Sequence, residues 1–275
     1  MKALIPVILV LAGGYGAITT LMYLLQERLL FHPTRSIVAS PADAGLSFED
    51  VHFSTSDAET LHGWWVPHDD AFATILFFHG NAGNISGRID IIDKLHGMGV
   101  NVFIFDYRGY GRSTGAPSEE GLYKDSEAAL QYLVKERSIP ASNIVLHGRS
   151  LGGGPAAWLG ERVQTAALIL ESTFTSVPDA GAYHYPLLPV RMLANIDFDN
   201  LARVARCRCP VLIIHSPQDD VIPFAQSERL FAAAKDPKVF LELSGSHNEG
   251  HAVSGHRYVA GVNAFLADHV LHHPR

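Results

Sequence analysis

The chain has 275 residues, 47% hydrophobic and 18% charged, a composition that fits one globular domain with a sizeable core and excludes a disordered chain. The formal net charge is −7, from 21 Lys and Arg against 28 Asp and Glu, and no run of basic residues occurs, which disfavours a nucleic-acid partner. Cys207 and Cys209 are two residues apart, a spacing that matches neither a C-x-x-C redox pair nor half of a usual zinc site.

The N-terminal segment differs in composition from the rest of the chain. Residues 3–25 carry no charge, and this stretch exceeds the roughly 20 residues that a membrane-spanning helix needs. A cleaved secretory signal is the alternative, because Lys2 precedes the apolar run and small residues such as Ala12 could offer a cleavage site. The length of the apolar run favours an anchor over a cleaved signal. The basic residues on either side of the run favour only slightly a cytoplasmic position for the rest of the chain. We predict a membrane anchor at residues 1–27.

From residue 28 onward the sequence alternates strand-like and helix-like segments. The strand-like segments are short, apolar and rich in β-branched or aromatic residues, as in strands buried on both faces of a parallel sheet. They lie at residues 51–55, 61–67, 74–80, 100–109, 143–148, 166–172, 211–216 and 239–245. Helix-like segments lie at residues 85–96, 119–135, 151–163, 224–234 and 255–269. This alternation predicts an α/β fold with a doubly wound, mostly parallel sheet.

A serine flanked by glycines follows one of these strands. Residues 143–154 read NIVLHGRSLGGG, in which Gly148, Ser150 and Gly152 form the pattern G-x-S-x-G between a predicted strand and a predicted helix. An ordinary loop with a capping serine is the alternative for the pentapeptide alone. The strand–turn–helix setting is typical of the nucleophile turn of α/β hydrolases, whose glycines permit a tight turn and close packing. We therefore predict that Ser150 is a nucleophile.

A serine nucleophile needs a base and an acid that orients the base. In this fold the acid and then the histidine follow on loops after later strands. The loop SPQDDVIP offers Asp219 and Asp220, and the loop GSHNEGH offers His247 and His251. We predict Asp219, which lies four residues beyond the strand-terminal His215, and His247, which lies nearest the end of its strand. In this interpretation Asp220 is free to point elsewhere or to cap the segment that leads into the next helix.

The amides that would stabilise an oxyanion are expected on two loops. One donor comes from the residue after the nucleophile and the other from the loop after an earlier strand. The stretch FFHGNAGN, residues 77–84, is small and rich in glycine, so its backbone could face a ligand. We predict the amides of Asn81 and Leu151 as the oxyanion hole.

Two further patterns do not predict a cofactor or a metal. The stretch GGGPAA, residues 152–157, overlaps the nucleophile turn and does not follow the first strand of a dinucleotide-binding unit. His247 and His251 are four residues apart, but the glutamate is not adjacent to the first histidine and Gly250 weakens a helix there. We therefore expect neither.

The motifs together resemble a known family. FHGNAGNISGR, FDYRGYGRSTG, HGRSLGGG, ESTFTS, HSPQDDVIPF and LSGSHNE are similar to motifs of the membrane-tethered, cap-poor α/β hydrolases related to α/β-hydrolase-domain-containing proteins 13 and 17. The resemblance covers roughly residue 28 to the end, and it implies a serine hydrolase domain at residues 28–275 with Ser150, Asp219 and His247 as its triad. A serine in HSPQD stands where that family usually has glycine, which removes no catalytic atom.

Little in the sequence indicates the substrate, and what there is lies in the segment between the strands at 166–172 and 211–216. It is too short for a large lid domain, so a minimal cap and an open pocket are expected. Tyr183, Tyr185, Leu187, Leu188 and Met192 either face an acyl chain or pack the cap itself. We expect an ester or thioester hydrolase for a small-molecule or acylated substrate, with a peptidase or amidase and a non-catalytic scaffold as alternatives. The sequence does not indicate an oligomeric state.

Overall fold

The computed structural model describes residues 4–271, so Lys2 and the first residues of the predicted anchor lie outside the described residues. The strands are β1 His32–Pro33, β2 Glu49–Ser54, β3 Thr60–Val66, β4 Thr74–Phe78, β5 Ala82–Gly83, β6 Asn101–Phe105, β7 Ile144–Arg149, β8 Ala167–Glu171, β9 Val211–His215 and β10 Lys238–Glu242. The α-helices are α1 Leu4–Leu24, α2 Gln26–Leu30, α3 Ile89–His96, α4 Glu119–Gln131, α5 Gly153–Arg162, α6 Val177–His184, α7 Val190–Leu193, α8 Asn200–Val204, α9 Phe224–Ala233, α10 Gly250–Val253 and α11 Gly255–Leu266.

Eight strands form the main sheet in the order β10-β9-β8-β7-β4-β6-β3-β2. The pairs β2–β3 and β3–β6 are antiparallel, and the other neighbours are parallel. The predicted doubly wound, mostly parallel sheet is therefore confirmed. The chain reverses its direction of winding around β4, and the carboxyl ends of β4 and β7 meet at this switch point, where such sheets bind ligands.

Helices cover both faces of the sheet because side chains alternate along each central strand. In β4, Leu76 and Phe78 face one hydrophobic core together with residues of α4, α5 and α9, while Ile75 and Phe77 face a second core with residues of α3 and α11. All four of these side chains are buried. A strand buried on both faces accounts for the continuous apolar runs in the sequence.

The segment after β8 forms a small cap of short helices. Helices α6 and α7 lie in it, and α8 leads back toward the sheet. The sequence predicted a minimal cap but no particular helix here, because each of these helices is at most eight residues long and carries little periodic signal.

The N-terminal helix α1 lies beside the cap. It has 21 residues, none of which is buried against the rest of the protein. Its length and apolar composition are sufficient to cross a membrane. The Tyr15 hydroxyl donates to the Leu187 carbonyl at 2.9 Å, and Gln26 of α2 bonds the Leu193 carbonyl at 3.1 Å and the Asn195 amide at 2.9 Å.

Candidate active site

Ser150 stands on a sharp turn between β7 and α5. Its φ is +53°, a left-handed conformation that is strained for a residue with a side chain. A Cβ atom on Gly148 would lie 2.5 Å from the carbonyl oxygen of Gly152, and one on Gly152 would lie 2.1 Å from that of Phe78, so both glycines are required by close packing. The Thr173 hydroxyl donates to the Ser150 carbonyl at 2.7 Å and helps to hold the strained turn.

The structure brings the predicted serine, histidine and aspartate together. His247 Nε2 lies 2.9 Å from Ser150 Oγ, and His247 Nδ1 lies 2.7 Å from Asp219 Oδ2. Asp219 Oδ1 accepts hydrogen bonds from the amides of Val221 and Ile222 at 2.9 and 2.7 Å. A chain of hydrogen bonds therefore runs from the hydroxyl through the imidazole to a carboxylate that the main chain fixes in place.

The carboxyl group of Asp219 is fully buried yet stabilised as an anion. Burial raises its pKa, but hydrogen bonds from His215 and His247 and two backbone amides outweigh burial and hold the pKa well below its usual range. The imidazole of His215, at the end of β9, lies 3.2 Å from Asp219 Oδ2 and makes a second contact with the Ile222 carbonyl. This supporting contact of His215 was not predicted, because the sequence places His215 only at the end of the strand before the loop.

The two neighbouring candidates have other partners. His251 lies on α10, with Nε2 2.7 Å from Asp90 Oδ2 of α3. Asp220 Oδ1 accepts the backbone N–H of His247 at 3.0 Å. Asp220 therefore points away from the imidazole, as expected, but its side chain holds the main chain of the histidine loop and does not cap the following segment.

A buried charged network beneath the site was not anticipated. Glu171, at the end of β8, accepts from Arg149 Nε at 3.1 Å and from the Tyr258 hydroxyl at 3.1 Å, and His147 Nε2 lies 2.9 Å from it. Burial raises the pKa of Glu171, but the contact with His147 and the charge of Arg149 outweigh it and lower the pKa to about 2. Arg149 Nη2 also donates to the His247 carbonyl at 2.9 Å, so the network supports the histidine loop. The sequence signal that could have predicted this network is a charged residue at the end of each of two otherwise apolar strands, β7 and β8.

The two predicted oxyanion loops lie next to the serine. A Cβ atom on Gly80 would lie 3.5 Å from Ser150 Cβ, which places the loop after β4 against the nucleophile turn. The side chain of Asn81 is engaged elsewhere, with Oδ1 accepting from the Tyr110 hydroxyl at 3.1 Å. Leu151 lies in the 3-10 turn Ser150–Gly152 that leads into α5, where backbone N–H groups have no intrahelical acceptor. Both residues line the cavity that Ser150 faces, and their amides remain the predicted oxyanion donors.

An apolar cavity of about 340 Å³ opens beside Ser150, a size typical of ligand pockets. Its walls come from three parts of the chain: the nucleophile region, the cap, and the end of α1 with α2. From the N-terminal helices the lining residues are Thr19, Met22, Tyr23, Gln26, Leu29 and Leu30. From the cap and neighbouring loops they include Val177, Ala180, Tyr185, Leu188, Leu193 and Ile222. No Asp or Glu is among the residues that line this cavity in the described part of the chain.

Residues 4–271 offer no second candidate site of metal or thiol chemistry. No group of three or more His, Cys, Asp or Glu side chains suited to a metal ion is found there. Cys207 and Cys209 are buried free thiols, and burial raises the pKa of Cys207 to about 12, which makes it inert.

Known proteins similar to this chain agree with the observed fold. A family model described as Serine aminopeptidase, S33, matches residues 69–196. The Pyrococcus furiosus esterase Pf2001 superposes with a TM-score of 0.74 at 19% identity over 88% of this chain and 98% of the esterase, which is a likeness of fold.

Relatives in other organisms match nearly the whole chain. The uncharacterized protein Rv2307c of Mycobacterium tuberculosis is 36% identical over 96% of this chain and 95% of the relative. The uncharacterized membrane protein YNL320W of Saccharomyces cerevisiae is 31% identical over 86% of this chain and 89% of the relative. The α/β hydrolase domain-containing protein WAV2 of Arabidopsis thaliana is 33% identical over 89% of this chain and 90% of the relative. This chain therefore belongs to the α/β-hydrolase family.

Proposed function

We propose that the protein is a serine hydrolase that cleaves an acyl ester or thioester through a Ser150-linked acyl-enzyme. The observation that carries the proposal is the hydrogen-bonded series Ser150, His247 and Asp219 at the wall of an apolar cavity. The resemblance to α/β-hydrolase-domain-containing proteins 13 and 17, whose members are serine hydrolases, supports it. No cofactor is needed for this chemistry.

The proposed mechanism assigns each group one task. His247 Nε2 takes the proton from Ser150 Oγ as the oxygen attacks the acyl carbonyl carbon, and the amides of Asn81 and Leu151 stabilise the resulting oxyanion. The tetrahedral intermediate collapses, the bond to the leaving oxygen or sulfur breaks, and His247 returns the proton to that atom. Asp219 keeps Nδ1–H oriented and stabilises the imidazolium. Water then attacks the acyl-enzyme by the same route and releases the carboxylic acid.

An ester or thioester suits the cavity better than a peptide. The matching family model is described as a serine aminopeptidase, and an aminopeptidase has to hold the ammonium group of a free N-terminus. A buried ammonium needs a paired carboxylate, whereas the described residues that line this cavity include no Asp or Glu. The aminopeptidase alternative is therefore less favoured. The hydrogen-bonded series of Ser150, His247 and Asp219 argues against a scaffold without activity.

Labelling with a fluorophosphonate probe tests the proposal. Wild type is expected to be labelled and to hydrolyse short acyl esters, while Ser150→Ala should abolish labelling and lower kcat by several orders of magnitude. Ser172→Ala is a matched control, because Ser172 also follows a strand with a positive φ, here +46°. Labelling that persists in Ser150→Ala, or a wild type that neither binds the probe nor cleaves any ester or thioester, would contradict the proposal.

We further propose that α1 remains attached as a single-pass membrane anchor formed by residues 1–27, and that residues 28–275 form the catalytic domain. The length of α1, its lack of burial and the membrane-protein description of the yeast relative support this. The full chain should stay in the membrane after a carbonate wash. Mass spectrometry of the intact protein should give the mass of a chain that still contains residues 4–24. A soluble mature chain that begins after residue 15 or so would contradict the anchor.

A further inference from the structure

The cavity beside Ser150 has one wall that belongs to the membrane anchor. Thr19 and Met22 of α1 and Gln26 of α2 line it from positions three and four residues apart, which share one face of a helix. Leu24 points away from this face and is 70% exposed. The anchor therefore contributes side chains to the space in which an acyl group would lie.

Helix α1 is only just long enough to cross a bilayer, so almost all of it would lie within the hydrocarbon core. Its 21 residues extend about 32 Å, close to the roughly 30 Å thickness of the hydrocarbon core. When α1 spans the bilayer, Leu24 lies near one surface and Tyr15, nine residues earlier, lies about 14 Å deeper. Because the Tyr15 hydroxyl bonds the Leu187 carbonyl, the tip of the cap reaches into the same leaflet.

The surface of the cap tip is suited to that position. Four side chains of segment 183–192 are large and exposed, with exposed fractions from 45% to 86%: Tyr183, Tyr185, Leu187 and Met192. A cluster of exposed apolar side chains marks a membrane or partner contact. The bond from Tyr15 satisfies a cap carbonyl that hydrocarbon could not satisfy. Arg191, the one permanently charged residue of this segment, is paired with Asp179 at 3.0 Å.

We infer that the cavity binds the acyl chain of a substrate that resides in the bilayer, with the C-terminal half of α1 and the cap segment 183–192 inserted together in one leaflet. The chain passes along the apolar wall formed by α1 and the cap, and its carbonyl reaches Ser150 at the domain end of the cavity. The anchor is then part of the binding site. This inference rests on the proposed function and on α1 spanning the membrane.

A chain-length comparison tests the wall formed by α1. The full chain in lipid nanodiscs would be assayed with 4-methylumbelliferyl esters of butanoic and dodecanoic acid. Met22→Trp fills the cavity beside α1, so the ratio of kcat/KM for the dodecanoate to kcat/KM for the butanoate should fall about tenfold, the scale of an overpacked apolar site. Leu24→Trp, on the opposite face of the same helix, should leave both esters within about twofold.

The outcomes separate the two proposals. If wild type cleaves both esters and Met22→Trp changes neither, or lowers both equally, the inference is wrong and the proposed function stands. If wild type cleaves no ester and binds no fluorophosphonate, the proposed function itself fails. Labelling of Met22→Trp by the fluorophosphonate probe reports that the domain which carries Ser150 is folded.

Fluorescence quenching tests the insertion of the cap. In bilayers of brominated phosphatidylcholine, the fluorescence that Leu187→Trp adds to that of wild type should be strongly quenched. The fluorescence added by Val134→Trp should not be quenched, because Val134 is an exposed residue of the π-helical turn Tyr132–Glu136 after α4 and does not line the cavity formed with α1 and the cap. Absence of quenching for Leu187→Trp, or equal quenching for both variants, would place the cap in water and overturn the inference.

Discussion

Two adjacent carboxylates in the loop after β9 hold different parts of the same histidine. Asp219 contacts the imidazole Nδ1 of His247 at 2.7 Å, whereas Asp220 accepts the main-chain N–H of that residue at 3.0 Å. The first contact sets the tautomer and orientation of the ring, and the second sets the position of the loop. The two side chains should therefore respond differently to the same substitution.

Replacing each carboxylate in turn separates these roles. Asp219→Asn should lower kcat by about 10⁴-fold, because an amide at this position stabilises the wrong tautomer of His247. Asp220→Asn keeps an acceptor oxygen and should change kcat by less than about threefold, whereas Asp220→Ala leaves the His247 amide without an acceptor and should lower kcat about tenfold. Steady-state kinetics with a short acyl ester would measure all three. A loss in Asp220→Asn that equals the loss in Asp219→Asn would refute the division of roles.

The sequence was informative for single residues wherever a local pattern determines the geometry. The glycines around Ser150 anticipated a tight turn, and the predicted order of loops placed Asp219 and His247 close enough to form the observed contacts. The contact of Asp220 with the His247 main chain was not predicted, because it depends on how two loops approach each other in space. Which of two neighbouring side chains faces the ring is set by tertiary packing and not by spacing along the chain.

At the scale of elements, β7 and β8 are joined by charge as well as by backbone hydrogen bonds. Arg149 and Glu171 are partners in the register of these two strands. Their side chains meet His147 and Tyr258 in a pocket with almost no solvent contact. The network ties β7 to β8, to α11 and to the histidine loop. It escaped sequence analysis because the register that pairs the two residues cannot be read from either strand alone.

The buried carboxylate predicts an acid-sensitive contribution to stability. The pKa of Glu171 is lowered to about 2 from the ordinary value of 4.5, so its contribution of about 3 kcal/mol is fully present above pH 4.5 and is lost as the pH falls toward 2. Glu171→Gln should lower the free energy of unfolding by at least this amount at pH 7. The difference from wild type should shrink by more than half at pH 3. Urea unfolding in detergent, followed by tryptophan fluorescence, measures both values.

A surface glutamate supplies the control for this measurement. Glu49 is an exposed residue of β2 that pairs with Arg137 at 2.6 Å. Because exposed ion pairs contribute little, Glu49→Gln should lower the free energy of unfolding by less than about 1 kcal/mol. Similar losses in the two variants would mean that the buried network does not stabilise the sheet beyond an ordinary surface pair.

Most elements of the catalytic domain could be anticipated because their apolar runs are long or strongly patterned. The strand predicted at residues 61–67 is β3 at Thr60–Val66, and the helix predicted at residues 224–234 is α9 at Phe224–Ala233. The strand predicted at residues 100–109 ends earlier, at Phe105, because the following residues turn away to bring Asp106 and Arg108 into polar contacts. The cap helices α6 and α7 gave no comparable signal.

At the scale of the whole molecule, the N-terminal helices α1 and α2 are in contact with the cap. An uncharged apolar run predicts that a segment enters a membrane but not which of its faces meets the protein. That face is defined by polar residues near the junction. Gln26 reaches both the Leu193 carbonyl and the Asn195 amide of the cap, and the lining of the cavity continues from this contact into α1. Movements of the cap and of the anchor should therefore be coupled.

Loss of the contact at Gln26 should loosen the cap without affecting the sheet. Gln26→Leu removes the two hydrogen bonds to the cap and leaves the Leu193 carbonyl and the Asn195 amide without this partner. The cap should lose about 1.4 kcal/mol of stability, so hydrogen exchange in peptides covering residues 186–196 should become about tenfold faster. Glu27→Leu, at the next and exposed position, is the control and should leave this exchange unchanged. Peptides from β4 and β7 should exchange at the wild-type rate in both variants. Mass spectrometry of the full chain in nanodiscs provides the measurement, and equal exchange in the two variants would show that the cap keeps its conformation without help from the anchor.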